Sequence, residues 1–194
     1  MEKLIAWDEQ ASLWLNQYHQ EWLDPILFTA THTWPWIPLY VLLSGYLIRS
    51  YGLGSWVYFV GLALVITLAD QGTSSLMKPY FERLRPCHDE RWVDVLHNYG
   101  KCGGMYGFAS SHASNSFGIA AFFIFGFAKK QGLMRLLWVW AAFFSYTRVY
   151  LGVHYLGDII VGAAVGVLAA GLVWLLLGYF GQGPKQSAPS PSPM

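Results

Sequence analysis

Between Arg148 and Asp158 the chain reads Arg-Val-Tyr-Leu-Gly-Val-His-Tyr-Leu-Gly-Asp, which sets an Arg, His154 and an Asp in an otherwise apolar stretch. His154 and Asp158 are four residues apart, so on a helix they share one face, one turn from each other. A carboxylate placed there accepts a hydrogen bond from one imidazole nitrogen. That fixes the tautomer and leaves the other nitrogen free to attack. Arg148 offers a planar fork to a phosphate or carboxylate. By themselves, His154 and Asp158 suit a helix cap and its partner equally well, so the rest of the chain has to decide.

Two clusters upstream carry matching chemistry. Lys78-Pro-Tyr-Phe-Glu-Arg-Leu-Arg85-Pro86 supplies cations, and Ala109-Ser110-Ser111-His112 stands before an apolar run. Lys78, Arg85 and Arg148 suit a phosphate whose equatorial oxygens gain charge. Ser110 and Ser111 sit where a helix begins, and their hydroxyls and the free N–H groups of a first turn suit an anion. His154 can then attack phosphorus in line, oriented by Asp158, while His112 protonates the leaving oxygen. An alkoxide leaves poorly without an acid. Water would hydrolyse the phosphohistidine with His112 as base. Each cation alone would suit a snorkelling interfacial side chain, but that does not explain its spacing from His112 and His154.

These groups need a scaffold, and the composition says which kind. Hydrophobic residues make up 55% of the 194-residue chain and charged residues only 12%, with ten Trp. A soluble domain usually carries about 25% charged residues. The deficit points to an integral membrane protein, and the net charge of +1 gives no basic surface for nucleic acid. Residues 2–23 place Trp7, Trp14 and Trp22 among polar residues at helical spacing, which predicts an amphipathic helix lying in the interface. Apolar runs follow over 26–48, 56–77, 112–128, 133–151 and 159–180, each near the roughly 20 residues that span a bilayer. Pro35 and Pro38 predict either a kink or a break in the first of them. Polar residues ending the second, Asp70 to Lys78, should face the interior. There Asp70 is expected to bond a neighbouring helix, and Ser74 and Ser75 to pack between helices. Gly162-x-x-x-Gly166 in the last run permits close helix approach. Residues 79–110 read as a polar loop, and the Pro/Ser-rich 181–194 as a disordered tail.

Alternating span directions bring the three clusters to one membrane surface. Arg49, Lys129, Lys130, Arg135 and Lys185 then fall on the other surface, which the positive-inside rule makes cytoplasmic.

Taken together, the three clusters resemble the signature of the type 2 phosphatidic acid phosphatase (PAP2) family. Its pattern is Lys, six residues, Arg-Pro; then Pro-Ser-Gly-His; then Ser-Arg, five residues, His, three residues, Asp. Lys78 with Arg85-Pro86, Ser110 with His112, and Arg148 with His154 and Asp158 fit it over residues 78–158. Ala109 replaces the Pro, Ser111 the Gly and Thr147 the Ser; Ser111 either restricts backbone approach or adds a donor. The resemblance implies His154 as nucleophile, His112 as acid and Asp158 in support. It implies phosphate binding by Lys78, Arg85, Ser110, Ser111 and Arg148, and no metal or other cofactor. The sequence agrees in showing no carboxylate cluster suited to Mg²⁺ near the site.

Cys87 and Cys102 flank a loop on the outward face, where an oxidising compartment favours a disulfide. A Cys/His metal site with His88 and His97, or free thiols, are the alternatives.

The expected protein is an all-α integral membrane helical bundle of about five transmembrane helices plus an N-terminal interfacial helix, with one phosphatase domain over 1–180. It should be a metal-independent lipid phosphatase of a bacterial cytoplasmic membrane, with its site facing the periplasm and no nucleic-acid partner. Undecaprenyl diphosphate stands first among substrates, with phosphatidylglycerophosphate, phosphatidate and lipid A behind it. A non-catalytic lipid-phosphate binder or translocator is the rival reading, and vanadate haloperoxidase chemistry a third.

Overall fold

Long apolar runs in lipid must satisfy their own backbone, and helices do so. In the computed structural model, residues 2–127 and 132–182 are described. Lys129, Lys130, Lys185 and the tail beyond Gln182 lie outside them. The described helices are α1 (Glu2–Asn16), α2 (Asp24–Ala30), α3 (Ile37–Tyr51), α4 (Trp56–Gln71), α5 (Lys78–Phe81), α6 (Ser111–Phe127), α7 (Leu137–Tyr150) and α8 (Leu156–Tyr179). Among the described residues, two stretches are long and apolar enough to cross a bilayer, Trp34–Phe81, which contains α3 and α4, and Leu156–Tyr179.

The first apolar run breaks rather than kinks. Pro35 and Pro38 cannot donate to a helix ladder, and a 3₁₀ turn at Trp34–Trp36 separates α2 from α3. The second run leaves α-helical geometry at Gly72–Met77, a π turn, before α5 begins at Lys78. Residues 79–81 are therefore helix, and the polar loop starts after them.

Aromatic contacts fix the helix directions. At one end Tyr58, near the start of α4, meets Tyr51 from the end of α3 (4.5 Å), Phe127 from the end of α6 (5.6 Å) and Trp174 of α8 (6.0 Å). At the other end Trp36, just before α3, lies 6.3 Å from Phe144 in the second half of α7. So α3, α4, α6, α7 and α8 alternate in direction. The core between them is built on Leu47, Val65, Phe122, Phe123, Phe127 and Val173. Outside, Leu42, Val60, Val139, Leu168 and Leu175 are exposed, the surface of a helix bundle in lipid.

The α6–α8 seam depends on the two spaced glycines. A Cβ on Gly162 would collide with the Ser110 carbonyl, and one on Gly166 with the Ser114 carbonyl.

α1 packs on α7 and α8 with its polar side inward. Glu9, Ser12 and Asn16 are buried while Trp7 and Trp14 are exposed. Its side chains cap α8: Leu156 N–H donates to Ser12 Oγ (2.7 Å) and Gly157 N–H to Asp8 Oδ1 (2.6 Å). The Asn16 amide donates to the carbonyls of His97 (2.8 Å), Val149 (3.2 Å) and Tyr150 (2.8 Å), and its oxygen accepts from His97 N–H (2.8 Å). That commitment ends α1 at Asn16, short of the expected 23.

Cys87 and Cys102 are joined in a disulfide across Cα atoms 6.0 Å apart. His88 turns instead to the Gly103 carbonyl and His97 to Asp24.

Two measurements on detergent-solubilised protein check this packing. Gly166→Ala should lower stability by about 1–3 kcal/mol through overpacking. Gly171→Ala, whose Cβ would meet nothing within 4 Å, should not. Reduction of Cys87–Cys102 should lower the unfolding midpoint, since opening that loop costs about 3 kcal/mol.

Candidate active site

α8 opens with Tyr155 as its N-cap and Asp158 at the third helical position. The Asp158 carboxylate reaches back to accept from Tyr155 N–H (3.1 Å), the side chain serving as a cap. The same oxygen, Oδ2, meets His154 Nδ1 at 3.1 Å, while Oδ1 takes the Arg83 guanidinium at 3.1 Å. Asp158 is fully buried, and its backbone carbonyl accepts from Ser110 N–H (3.0 Å).

His154 hangs on the turn after α7. Gly152 has φ +70°, and a Cβ there would run into the His97 carbonyl, so the turn needs glycine. Val153 N–H and His154 N–H then both return to the Arg148 carbonyl. The His154 ring is almost wholly buried. With Nδ1 donating to Asp158, Nε2 carries the lone pair, and Arg85 donates to it from NH1 at 2.9 Å. Arg85 is itself fixed by the carbonyls of Gly104 (2.6 Å) and Val153 (3.2 Å). Burial first, and then the charges of Arg85, Arg148, Lys78 and Arg83, hold the His154 pKa well below its usual value. The ring is neutral at neutral pH, with Nε2 able to act as a nucleophile.

Lys78, released from α4 by the π turn, donates to Ser111 Oγ at 2.8 Å. Thr73 Oγ1 (3.0 Å) and Ser74 Oγ (2.8 Å) complete the surroundings of that hydroxyl. Ser111, where the family has Gly, thus accepts from Lys78. Ser110 is fully buried, and its Oγ accepts from Ala113 N–H (3.4 Å), capping α6. That leaves the hydroxyl hydrogen of Ser110 to donate elsewhere. His112 stacks on Phe144 (5.7 Å) and lies within Coulombic reach of Arg148, His154, Arg85 and Lys78. Arg148 donates from NH1 to Thr31 Oγ1 (2.8 Å), while its Nε is buried without a partner.

Lys78, Arg85, Ser110, Ser111, His112, Arg148, His154 and Asp158 thus stand at one end of the bundle. Arg83 joins them unexpectedly, bridging Asp158 to Asp8 of α1 (2.7 Å) and lying 4.0 Å over the Tyr155 ring. Its signal in the sequence is its place two residues before Arg85, on the same side of an extended loop. Gly107 also went unread: a Cβ there would stand 2.9 Å from Asp158 Oδ2 and 3.4 Å from His154 Nδ1. Asp70, expected to bond a neighbouring helix, takes Ser74 of its own chain segment (3.4 Å). Ser75 does not pack between helices but bonds Gln71 at the surface.

Four cations thus gather around one buried carboxylate and two imidazoles, an arrangement whose charge suits an anion. The family model of the PAP2 superfamily matches residues 55–182. The chain belongs to the PAP2 superfamily. It is 37% identical over 182 residues to a lipid A 4'-phosphatase of Bacteroides thetaiotaomicron, covering 91% of this chain and 79% of that one. A lipid A 4'-phosphatase of Porphyromonas gingivalis is 31% identical over 176 residues, covering 90% and 74%. The fold matches the crystal structure of a PAP2-type phosphatidylglycerolphosphate phosphatase from Bacillus subtilis. The TM-score there is 0.69 at 22% identity, over 92% of this chain and 88% of that one. It also matches Aquifex aeolicus LpxE with a TM-score of 0.65 at 20% identity, over 84% and 92%. This PAP2 protein is an integral membrane lipid phosphatase.

Arg83 reaches His154 through Asp158, the carboxylate that orients the ring. Arg83→Ala should lower kcat by about 10–100-fold, the usual effect of losing an orienting contact, with KM moved far less. Steady-state kinetics of wild type, Arg83→Ala and Arg83→Lys on one phosphate ester check this, with partial recovery in the Lys variant.

Proposed function

We propose that this PAP2 protein removes a phosphate from a lipid A-type acylated glycolipid through a phosphohistidine. The observation that carries the reading is the His154 ring, held between Asp158 on Nδ1 and Arg85 on Nε2. An arriving phosphate offers Arg85 a stronger acceptor than an imidazole lone pair. The guanidinium turns to the phosphate oxygens, and Nε2 is freed toward phosphorus. Lys78 and Arg148 share the remaining charge on the equatorial oxygens.

His154 Nε2 forms the N–P bond while the bond from phosphorus to the lipid oxygen breaks, and His112 gives that oxygen a proton. Asp158 stabilises the imidazolium character that grows on His154. Water then attacks the phosphohistidine, with His112 taking its proton, and inorganic phosphate leaves. The lipid A 4'-phosphatase relatives move lipid A ahead of undecaprenyl diphosphate as substrate.

The reading places the site at the outer surface of the cytoplasmic membrane. Arg49, at the end of α3, and Arg135, just before α7, support this: both lie near the opposite end of the bundle.

The test is phosphate release by purified protein in mixed micelles. The substrates are lipid A, undecaprenyl diphosphate, phosphatidylglycerophosphate and phosphatidate. Lipid A should lose one phosphate fastest, by mass and by released phosphate. His154→Ala should abolish release, and His112→Gln should slow it by about 10²–10⁴-fold. Release from none of the four, or full activity in His154→Ala, would overturn the proposal.

A further inference from the structure

A cavity of about 460 Å³ lies beside His112, between α3, α4, α6 and α7. Its lining follows α6 from Ser111 to Phe123, roughly 18 Å of helix into the apolar layer. Much of the wall is hydrocarbon, from Leu62, Ile66, Ile119 and Phe123. That suits a lipid chain. Two of its polar members do not fit a purely hydrocarbon occupant.

Asn115 follows His112 by three residues on α6, so it stands about one turn deeper on the same face. Trp140 precedes Phe144 by four on α7 and stacks on it (5.9 Å), as His112 stacks on Phe144 from above. Asn115 and Trp140 both line the cavity one turn below the site. Asn115 Oδ1 and Trp140 Nε1 are buried and have no hydrogen-bond partner, and Trp140 is only 8% exposed. Of the other polar members, Asp70 pairs with Ser74 and Ser116 with Ser145, while Thr33, Tyr40 and Ser44 add hydroxyls to the wall. An unpaired acceptor and an unpaired donor thus belong to two residues in the wall of the same cavity, one turn below His112 and Phe144.

We infer that Asn115 and Trp140 read an oxygen- or nitrogen-bearing group of the substrate a few bonds from its phosphate, selecting acylated lipid phosphates over polyprenyl ones. An ester, amide or hydroxyl on an acyl chain offers a carbonyl or hydroxyl oxygen to the Trp140 N–H. An amide N–H or a hydroxyl offers a hydrogen to Asn115 Oδ1. A polyprenyl chain carries neither. It would leave both groups unpaired as they are, so only the acylated lipid gains their hydrogen bonds. The inference rests on the phosphatase reading and adds a substrate class to it.

The experiment measures kcat/KM on lipid A and on undecaprenyl phosphate in the same micelles, for wild type, Trp140→Phe and Asn115→Leu. Thermal midpoints confirm that each variant is folded. Wild type should prefer the acylated lipid. Each variant should reduce the ratio of the two kcat/KM values by about tenfold, the size of one lost hydrogen bond. A ratio unchanged in both variants, or a wild-type preference for the polyprenyl phosphate, overturns the inference and leaves the phosphatase reading standing. Hydrolysis of neither lipid by wild type overturns this inference, and the phosphatase reading falls with it when phosphatidylglycerophosphate and phosphatidate release nothing either.

Discussion

A carboxylate with no access to water has to be surrounded by donors, and in this molecule that requirement organises the active end. Asp158 is buried at the start of an apolar helix, where an unpaired charge would cost several kcal/mol. Its partners come from distant parts of the chain: Arg83 from the loop after α5, His154 and the Tyr155 N–H from the turn after α7. Arg83 carries the chain of charges on to Asp8 of α1. Satisfying one group therefore draws a loop, a turn and the N-terminal helix together. The same satisfaction sets the tautomer of His154, so packing and chemistry share a cause.

The rest of the bundle contributes placement. Apolar packing within a membrane specifies little about register, because lipid competes with every hydrocarbon surface. The small residues of α8 supply the register instead, by letting Gly162 and Gly166 sit against the carbonyls of Ser110 and Ser114. That fixes the start of α6, and with it Ser111 and His112, against the start of α8. The π turn at Gly72–Met77 does the corresponding work on α4, bringing Thr73, Ser74 and Lys78 around Ser111.

Much of this was legible in the sequence because spacing along a helix is a statement about space. His154 and Asp158 at four residues, and a Ser-Ser-His at the head of an apolar run, translate directly into faces and ends. The Pro pair marked where the first run would fail as a single helix, though not whether it would bend or break. Harder to read were partnerships across the chain. Arg83 and Arg85 are near neighbours in a loop, where no period says which one meets a carboxylate and which an imidazole. α1 has the expected amphipathic pattern. That its polar side would cap α8 and hold His97 through Asn16 depends on groups more than 80 residues away. Ser110 caps α6, and because capping residues and anion-binding residues are of the same types at the same helix position, its residue type alone does not separate the two roles.

Folded proteins rarely leave buried polar atoms unpaired, so the places where they do are informative. Among the described residues, five side-chain atoms are in that condition: Tyr51 Oη, Arg83 NH2, Asn115 Oδ1, Trp140 Nε1 and Arg148 Nε. Tyr51 stands at the far end of the bundle, within its aromatic cluster. The other four lie beside His154 or belong to residues lining the cavity beneath it. Two are guanidinium nitrogens at the level of His154. Two are a neutral acceptor and donor one turn deeper. On the reading proposed above, charge above and neutral dipole below follow the order of a lipid phosphate entering head outward.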